Sequence, residues 1–151
     1  MQSNSPLAGV HKALIAIVLI AISLFGAAHA QSLQPVPALT SHVVDTTGTL
    51  NAAQTAALEA KLAALEQDKG SQLVVLMVPT TAPEDIAAYA NRVGNAWKIG
   101  RKNVGDGAIV LVALQDRKVR IEVAKALEGA IPDIAASHII DDAMTPRFRQ
   151  G

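Results

Sequence analysis

Two apolar segments constrain the fold of this chain more than any other feature. Gln72–Val78 (QLVVLMV) and residues 108–114 (AIVLVAL) are almost wholly apolar, and a helical pattern lies between them. An edge strand would alternate apolar and polar residues, so these runs predict strands that are covered on both faces. A strand–helix–strand unit favours a parallel pair, and the chain is therefore predicted to fold around a parallel sheet.

The second apolar strand continues into a predicted hairpin. Residues 115–117 (QDR) form the turn, and residues 118–124 then alternate, with Val119, Ile121 and Val123 facing one way. This alternation predicts an antiparallel strand with one exposed face. A brief extended piece, residues 42–45, precedes the first helix.

Three helices are predicted around these strands, over residues 51–68, 84–99 and 133–145. Asn51 and Gln54 have the spacing of a capping box at the start of the first helix. Glu84 and Asp85 are expected in the first turn of the second helix, and Asp133 is expected to cap the third. Residues 42–151 are thus predicted to form one three-layer α/β/α sandwich, in which the helices pack on a small mixed sheet.

The N-terminal residues 1–30 have the pattern of a secretory signal. Residues 13–25 (ALIAIVLIAISLF) carry no charge, and the A-x-A sequence that ends at Ala30 follows them. The alternative is an uncleaved anchor, but a membrane span needs about 20 apolar residues. We expect cleavage after Ala30, export to the periplasm or the outer face of the membrane, and a tether over residues 31–41, which contain two prolines.

Charge and cysteine content exclude several classes of function. The chain without residues 1–30 has 12 Lys/Arg against 13 Asp/Glu, and this balance gives no field that would attract nucleic acid. There is no cysteine, hence no disulfide, thiol nucleophile or cysteine metal ligand. The glycine-containing segment at 100–107 lacks the order of a nucleotide loop and precedes a strand, so no nucleotide is expected.

The predicted topology brings acidic loops together. Residues 108–114 start at the end of the sheet where residues 118–124 finish, so Asp106 is expected near Glu128 and Asp133. Carboxylates on converging loops suit a hard cation, either calcium or magnesium. Each acid also has a simpler explanation: Asp133 as a helix cap, Asp106 as a turn residue and Glu128 as a solvated side chain. Neither His42 nor His138 has a partner at ligand spacing, and no G-x-S-x-G setting supports a hydrolase triad.

Several motifs, in a consistent order over residues 42–149, resemble those of TPM domains. They are VVDTTGTL at 43–50, GSQLVV at 70–75, WKIG at 97–100, GDG at 105–107, DRKVRIE at 116–122, LEG at 127–129, IPD at 131–133 and PRF at 146–148. The resemblance implies a compact α/β sandwich on an exported or membrane-attached protein. Plant relatives in the thylakoid lumen are linked to photosystem repair and to acid phosphatase activity, and some relatives are associated with calcium.

The resemblance carries over four candidate metal ligands: Asp45, Asp106, Glu128 and Asp133. One departure concerns the same loops, because the family commonly has G-x-G where this chain has Ala124-Lys125-Ala126. The catalytic residues, if there are any, stay unassigned.

Three functions remain open at this point. The leading hypothesis is a cell-envelope accessory domain that acts as a monomer, binds an envelope or membrane protein and holds a divalent metal on its acidic loops. The alternatives are a metal-assisted phosphatase that acts on phosphate monoesters and a purely structural domain.

Overall fold

The computed structural model describes residues 32–101 and 104–148, so the predicted signal segment lies outside the described residues. The strands are β1 (Val43–Asp45), β2 (Gln72–Val78), β3 (Gly107–Ala113) and β4 (Lys118–Val123). The helices are α1 (Ala52–Lys69), α2 (Ile86–Trp97), α3 (Asp133–His138) and α4 (Thr145–Phe148), with a 3₁₀ turn at Lys125–Leu127 and a π-helical segment at Ile139–Met144. None of the described helices is both long and apolar enough to cross a membrane.

The sheet has the predicted mixed topology. Its strands lie in the order β1-β2-β3-β4; the first three are parallel, and β4 runs antiparallel to β3. The buried parallel pair β2–β3 and the hairpin β3–β4 are both confirmed.

The helices form two outer layers around this sheet. On one face, strand residues pack with three residues of α2 in a core cluster; the α2 residues are Tyr89, Ala90 and Val93. Helix α1 contacts β1 and β2, and its buried Leu62 lies outside that cluster, on the other face. The C-terminal helical segment contacts β4 and buries Ala136. The predicted α/β/α sandwich is confirmed.

The start of one helix agrees with the prediction from the sequence, and the starts of the other two differ from it. The capping box of α1 forms as predicted, with both Asn51–Gln54 hydrogen bonds at 2.9 Å. Helix α2 begins later than predicted, because the Asp85 carboxylate accepts hydrogen bonds from Ala87 N and Ala88 N and is therefore its cap. Asp133 was expected to cap α3, and this is wrong: Pro132 holds the cap position, without a side-chain hydrogen bond.

The third helix is longer and less regular than predicted. The π-helical segment follows α3 directly, and the Thr145 amide donates to the Ile140 carbonyl, five residues back. The helix was predicted to end at residue 145, but Pro146 lies in the first turn of α4. Proline is tolerated there because the first turn of a helix does not require its missing amide hydrogen.

The segment that was expected to be a tether packs on α2 from Leu33 onward. Its backbone carbonyls accept hydrogen bonds from side chains of α2: Gln34 O from Arg92 at 2.7 Å, Pro35 O from Tyr89 at 2.9 Å and Pro37 O from Trp97 at 2.7 Å. Val36 and Leu39 pack against the core cluster. We call residues 33–41 the strap; although it has no regular secondary structure, it belongs to the compact unit that starts at Leu33.

Candidate functional site

An open groove lies between the C-terminal half of α2 and the end of β4. It encloses about 700 Å³, and we call it the α2–β4 groove. A smaller groove of about 460 Å³ adjoins it and shares Glu122, Val123 and Glu128. The polar side chains that line the α2–β4 groove are Asn91, Asn95, Lys98, Arg101, Glu122, Lys125 and Glu128.

The groove follows from two periodicities in the sequence. Asn91 and Asn95 are spaced four residues apart, which places them on one side of α2, and Lys98 follows as the cap at the C-terminal end of that helix. Glu122 is paired with Ile109 in the sheet register, so its side chain lies on the α2 side of the sheet. Gly94 leaves room there, since a Cβ atom at this position would lie 3.8 Å from the Glu122 side chain. The polar side chains of β4 therefore line a groove beside α2.

Arg120 links two of the carboxylates around these grooves. Its guanidinium lies 3.2 Å from Glu122 and 3.8 Å from Asp133. Glu122 also accepts a long hydrogen bond, 3.4 Å, from the Asn91 amide. Asp133 is the most exposed of the three, with 86% of its side chain accessible. This side of the grooves can therefore offer both carboxylate oxygens and a guanidinium to a ligand.

Asp106 forms an ion pair with Arg101. Its carboxylate accepts hydrogen bonds from Arg101 N and Nε, both at 2.8 Å, and Arg101 Nη2 lies at 2.6 Å. The hydrogen bond from the Arg101 side chain, together with that from its backbone, holds the pKa of Asp106 below its ordinary value. The pair closes the loop that leads into β3, and Asp106 is buried while it does so.

Asp45 lies at the opposite end of the sheet from Asp106. Asp45 pairs with Met77 of β2, whereas Gly107, the residue after Asp106, pairs with Gln72 of β2. At the usual rise per residue, Met77 and Gln72 are about 16 Å apart along the strand. The Asp45 carboxylate accepts hydrogen bonds from Thr47 N at 2.8 Å, Gly48 N at 3.1 Å and Leu50 N at 2.9 Å. Burial acts to raise the pKa of Asp45, but these bonds and the Thr47 hydroxyl outweigh it and lower the pKa.

The structure therefore brings together only some of the predicted metal ligands. Glu128 and Asp133 line the smaller groove together with Glu122, whereas Asp45 is remote and Asp106 is held by Arg101. Among the residues that the structure describes, no three His, Asp or Glu side chains are grouped so as to hold a metal ion. Calcium or magnesium binding stays a prediction, and the two grooves are the place where carboxylates from different loops meet.

Sequence reasoning missed an ionic cluster around His42. Its Nδ1 lies 2.6 Å from Glu59 and its Nε2 lies 2.6 Å from Glu66. Glu59 also accepts hydrogen bonds from the amides of His42 and Val43. The sequence analysis considered His42 only as a metal ligand and did not anticipate these ion pairs, in which Glu59 and Glu66 are seven residues apart on the side of α1 that meets β1. That spacing is the signal that could have revealed the cluster.

The comparisons with known proteins agree with this architecture. The family model described as "TPM domain" matches residues 43–151. Among seven matching solved chains is the solution NMR structure of the N-terminal domain of a protein from P. gingivalis. It has a TM-score of 0.69 and 29% sequence identity, and the match covers 77% of each chain. No protein of curated function matches this chain.

Proposed function

This chain belongs to the TPM domain family, and we propose that it is an accessory domain of the cell envelope that binds a partner protein in the α2–β4 groove. The observation that carries the proposal is the groove itself, whose volume lies within the range typical of ligand sites. The apolar stretch at residues 13–25 and the A-x-A site support an envelope location.

The chemistry of the groove suits a segment of polypeptide. The Asn95 amide donates to Asn91 at 2.9 Å, and the remaining donor and acceptor capacity of the two amides matches the alternating donors and acceptors of a peptide backbone. Glu128 and Lys125 supply opposite charges near its mouth, and both are exposed. A partner segment that carries both a cation and an anion complements this pattern.

Charge reversal at the groove tests the proposal in the exporting cell. We expect Glu128→Arg to reduce co-purification of the partner about tenfold, because it replaces an attractive contact by a repulsive one. The matched control is Lys61→Glu on the exposed side of α1, which should leave the partner bound. If the wild type, Glu128→Arg and Lys61→Glu all recovered the same partner equally, the assignment of partner binding to the groove would be contradicted.

A metal-assisted phosphatase is the second candidate. It is favoured by the carboxylates Glu122, Glu128 and Asp133, which line the smaller groove. Within the described residues they do not form a ready-made metal site, so they would have to draw together around magnesium or calcium to hold it against a phosphate. This candidate predicts that the full chain hydrolyses a generic phosphate monoester when either cation is added, and that Glu128→Gln lowers the rate. No turnover at high protein concentration would eliminate this candidate and leave partner binding untouched.

A further inference from the structure

Strand β4 is an edge of the sheet and has unused hydrogen-bonding capacity. The hydrogen bond from Ala124 N to Gly107 O fixes the alternation of the antiparallel ladder, so residues 118, 120 and 122 bond to β3. The amide and carbonyl groups of Val119, Ile121 and Val123 therefore point away from the sheet. Within residues 32–101 and 104–148, no hydrogen bond reaches these outward groups from outside the sheet.

The sequence of β4 is suited to pairing with a second copy of itself. In an antiparallel pair about a two-fold axis at Ile121, Ile121 faces its own copy, and Val119 faces Val123 of the other chain. These are the residues whose backbone groups point outward, so the ladder can form. Arg120 then lies directly opposite Glu122 of the other copy, and the symmetry repeats this contact.

Neighbouring registers are disfavoured by charge. Moving the axis by one residue toward Arg120 places Arg120 opposite its own copy, and moving it by one residue toward Glu122 places Glu122 opposite its own copy. Centring the pair on Val119 places Lys118 opposite Arg120. Like charges directly opposite each other in a sheet are destabilising, whereas opposite charges stabilise it. Pairing about Ile121 is therefore the register in which the charges of β4 complement one another.

We propose that β4 is a self-association edge through which two copies of this chain join into one continuous sheet. The other edge of the sheet, β1, offers only three residues, whereas β4 offers six. In the pair, the intrachain contact of 3.2 Å between Arg120 and Glu122 extends into a network of four charges. The proposal departs from the monomer expected from the sequence. Glu122 also lines the α2–β4 groove, but the oligomeric state that tests the proposal is measured without any ligand of that groove.

The test uses Arg120→Glu and Glu122→Arg, made singly in the full chain. Each variant alone places like charges opposite each other twice, so we expect its dimer dissociation constant to rise about tenfold or more over the wild type. A mixture of the two variants restores opposite charges at both contacts, and a heterodimer should form. Sedimentation analysis measures the fractions of monomer and dimer in each sample. Lys61→Glu is the control for a charge change far from β4, and circular dichroism verifies that each variant is folded.

The mixed sample separates this proposal from a purely intrachain effect. Each variant loses its own Arg120–Glu122 pair whether or not the other is present, so only a contact between chains can be rescued by mixing. A wild-type chain that sediments as a monomer at all concentrations would overturn the proposal. A wild-type dimer that both variants retain would also overturn it, because the dimer would then use another surface.

Discussion

At the scale of single residues, an ionic cluster joins the residue before β1, His42, to α1. The hydrogen bonds that the His42 ring donates to Glu66 and Glu59 raise the pKa of His42 above its ordinary value of 6.5 and outweigh the effect of burial. Burial acts to raise the pKa of Glu59, but its bonds with His42 and with the His42 and Val43 amides lower it below 4.5. His42 and Glu59 are therefore both charged between these two ordinary values.

This cluster predicts a pH dependence of stability with a definite sign. Because the pKa of His42 is raised in the folded state, its contribution is complete below pH 6.5 and is lost as the pH rises through the folded-state pKa. We expect the loss to be about 1 kcal/mol for a pair that is partly exposed. Urea unfolding of the wild type and of His42→Gln at acidic and alkaline pH measures it. If both proteins lost stability equally with rising pH, His42 would not be responsible.

A second residue-scale prediction concerns the close approach of two backbone segments. A Cβ atom at Gly107 would lie 2.5 Å from the Ile99 carbonyl carbon and 2.6 Å from Gly100 N. These neighbours are backbone atoms, which cannot move aside as the tip of a flexible side chain can. Gly107→Ala is therefore expected to destabilise the fold by about 2 kcal/mol or more. Gly129→Ala is the control, since nothing lies within 4 Å of its Cβ position. Chemical denaturation compares the two variants, and similar midpoints would contradict the predicted crowding.

At the scale of elements, the sequence predicted what depends on local pattern. Strands β2, β3 and β4 and helix α1 follow from periodicity and from the capping box of Asn51. The strap was missed because the contacts of its carbonyls come from Tyr89, Arg92 and Trp97, 54 to 60 residues away. Every residue has a backbone carbonyl, so the sequence does not show which carbonyls accept hydrogen bonds from distant side chains. A proline-containing segment without periodicity therefore resembles a tether. The π-helical segment was missed as well, because Ile139–Met144 contains no proline or glycine that would indicate a departure from the α-helix.

The strap supplies an element-scale prediction. Tyr89→Phe keeps the buried ring and removes only the hydroxyl that donates to the Pro35 carbonyl at 2.9 Å. We expect a loss of about 1 kcal/mol in the free energy of unfolding. Proteolysis within residues 33–41 should also become faster, because the segment is held less firmly. Unchanged cleavage would mean that the other strap contacts hold the segment without this bond.

At the scale of the whole molecule, the fold was more predictable than the site. A βαβ unit and a hairpin determine which loops share an end of the sheet, and this placed Glu128 and Asp133 correctly near each other. Asp106 was placed at the correct end as well, but its buried pair with Arg101 could not be read from a glycine-flanked turn. Asp45 was a candidate ligand because of a motif and not because of topology, and the strand register places it at the opposite end of the sheet from Asp106.

Because of this placement, substitutions of the predicted metal ligands should differ in their effect on calcium binding. If calcium binds at the grooves, Glu128→Gln and Asp133→Asn should reduce the calcium-dependent rise in Tm of the full chain. Asp45→Asn should leave the rise unchanged, although it lowers the starting Tm by removing a loop cap. Saturation at 100 times Kd corresponds to about 2.7 kcal/mol, which is measurable by thermal unfolding. A rise that depends on Asp45 would contradict the assignment of the metal to the grooves.

The central claim is that the α2–β4 groove is the surface that receives a partner. A photo-crosslinking side chain at Asn95, in the groove, and one at Ala60, on the exposed side of α1, test it most directly in the exporting cell. We predict a discrete crosslinked product from position 95 that weakens when Glu128→Arg is added, and no such product from position 60. Products of equal yield from both positions, or a product from position 60 alone, would contradict the claim.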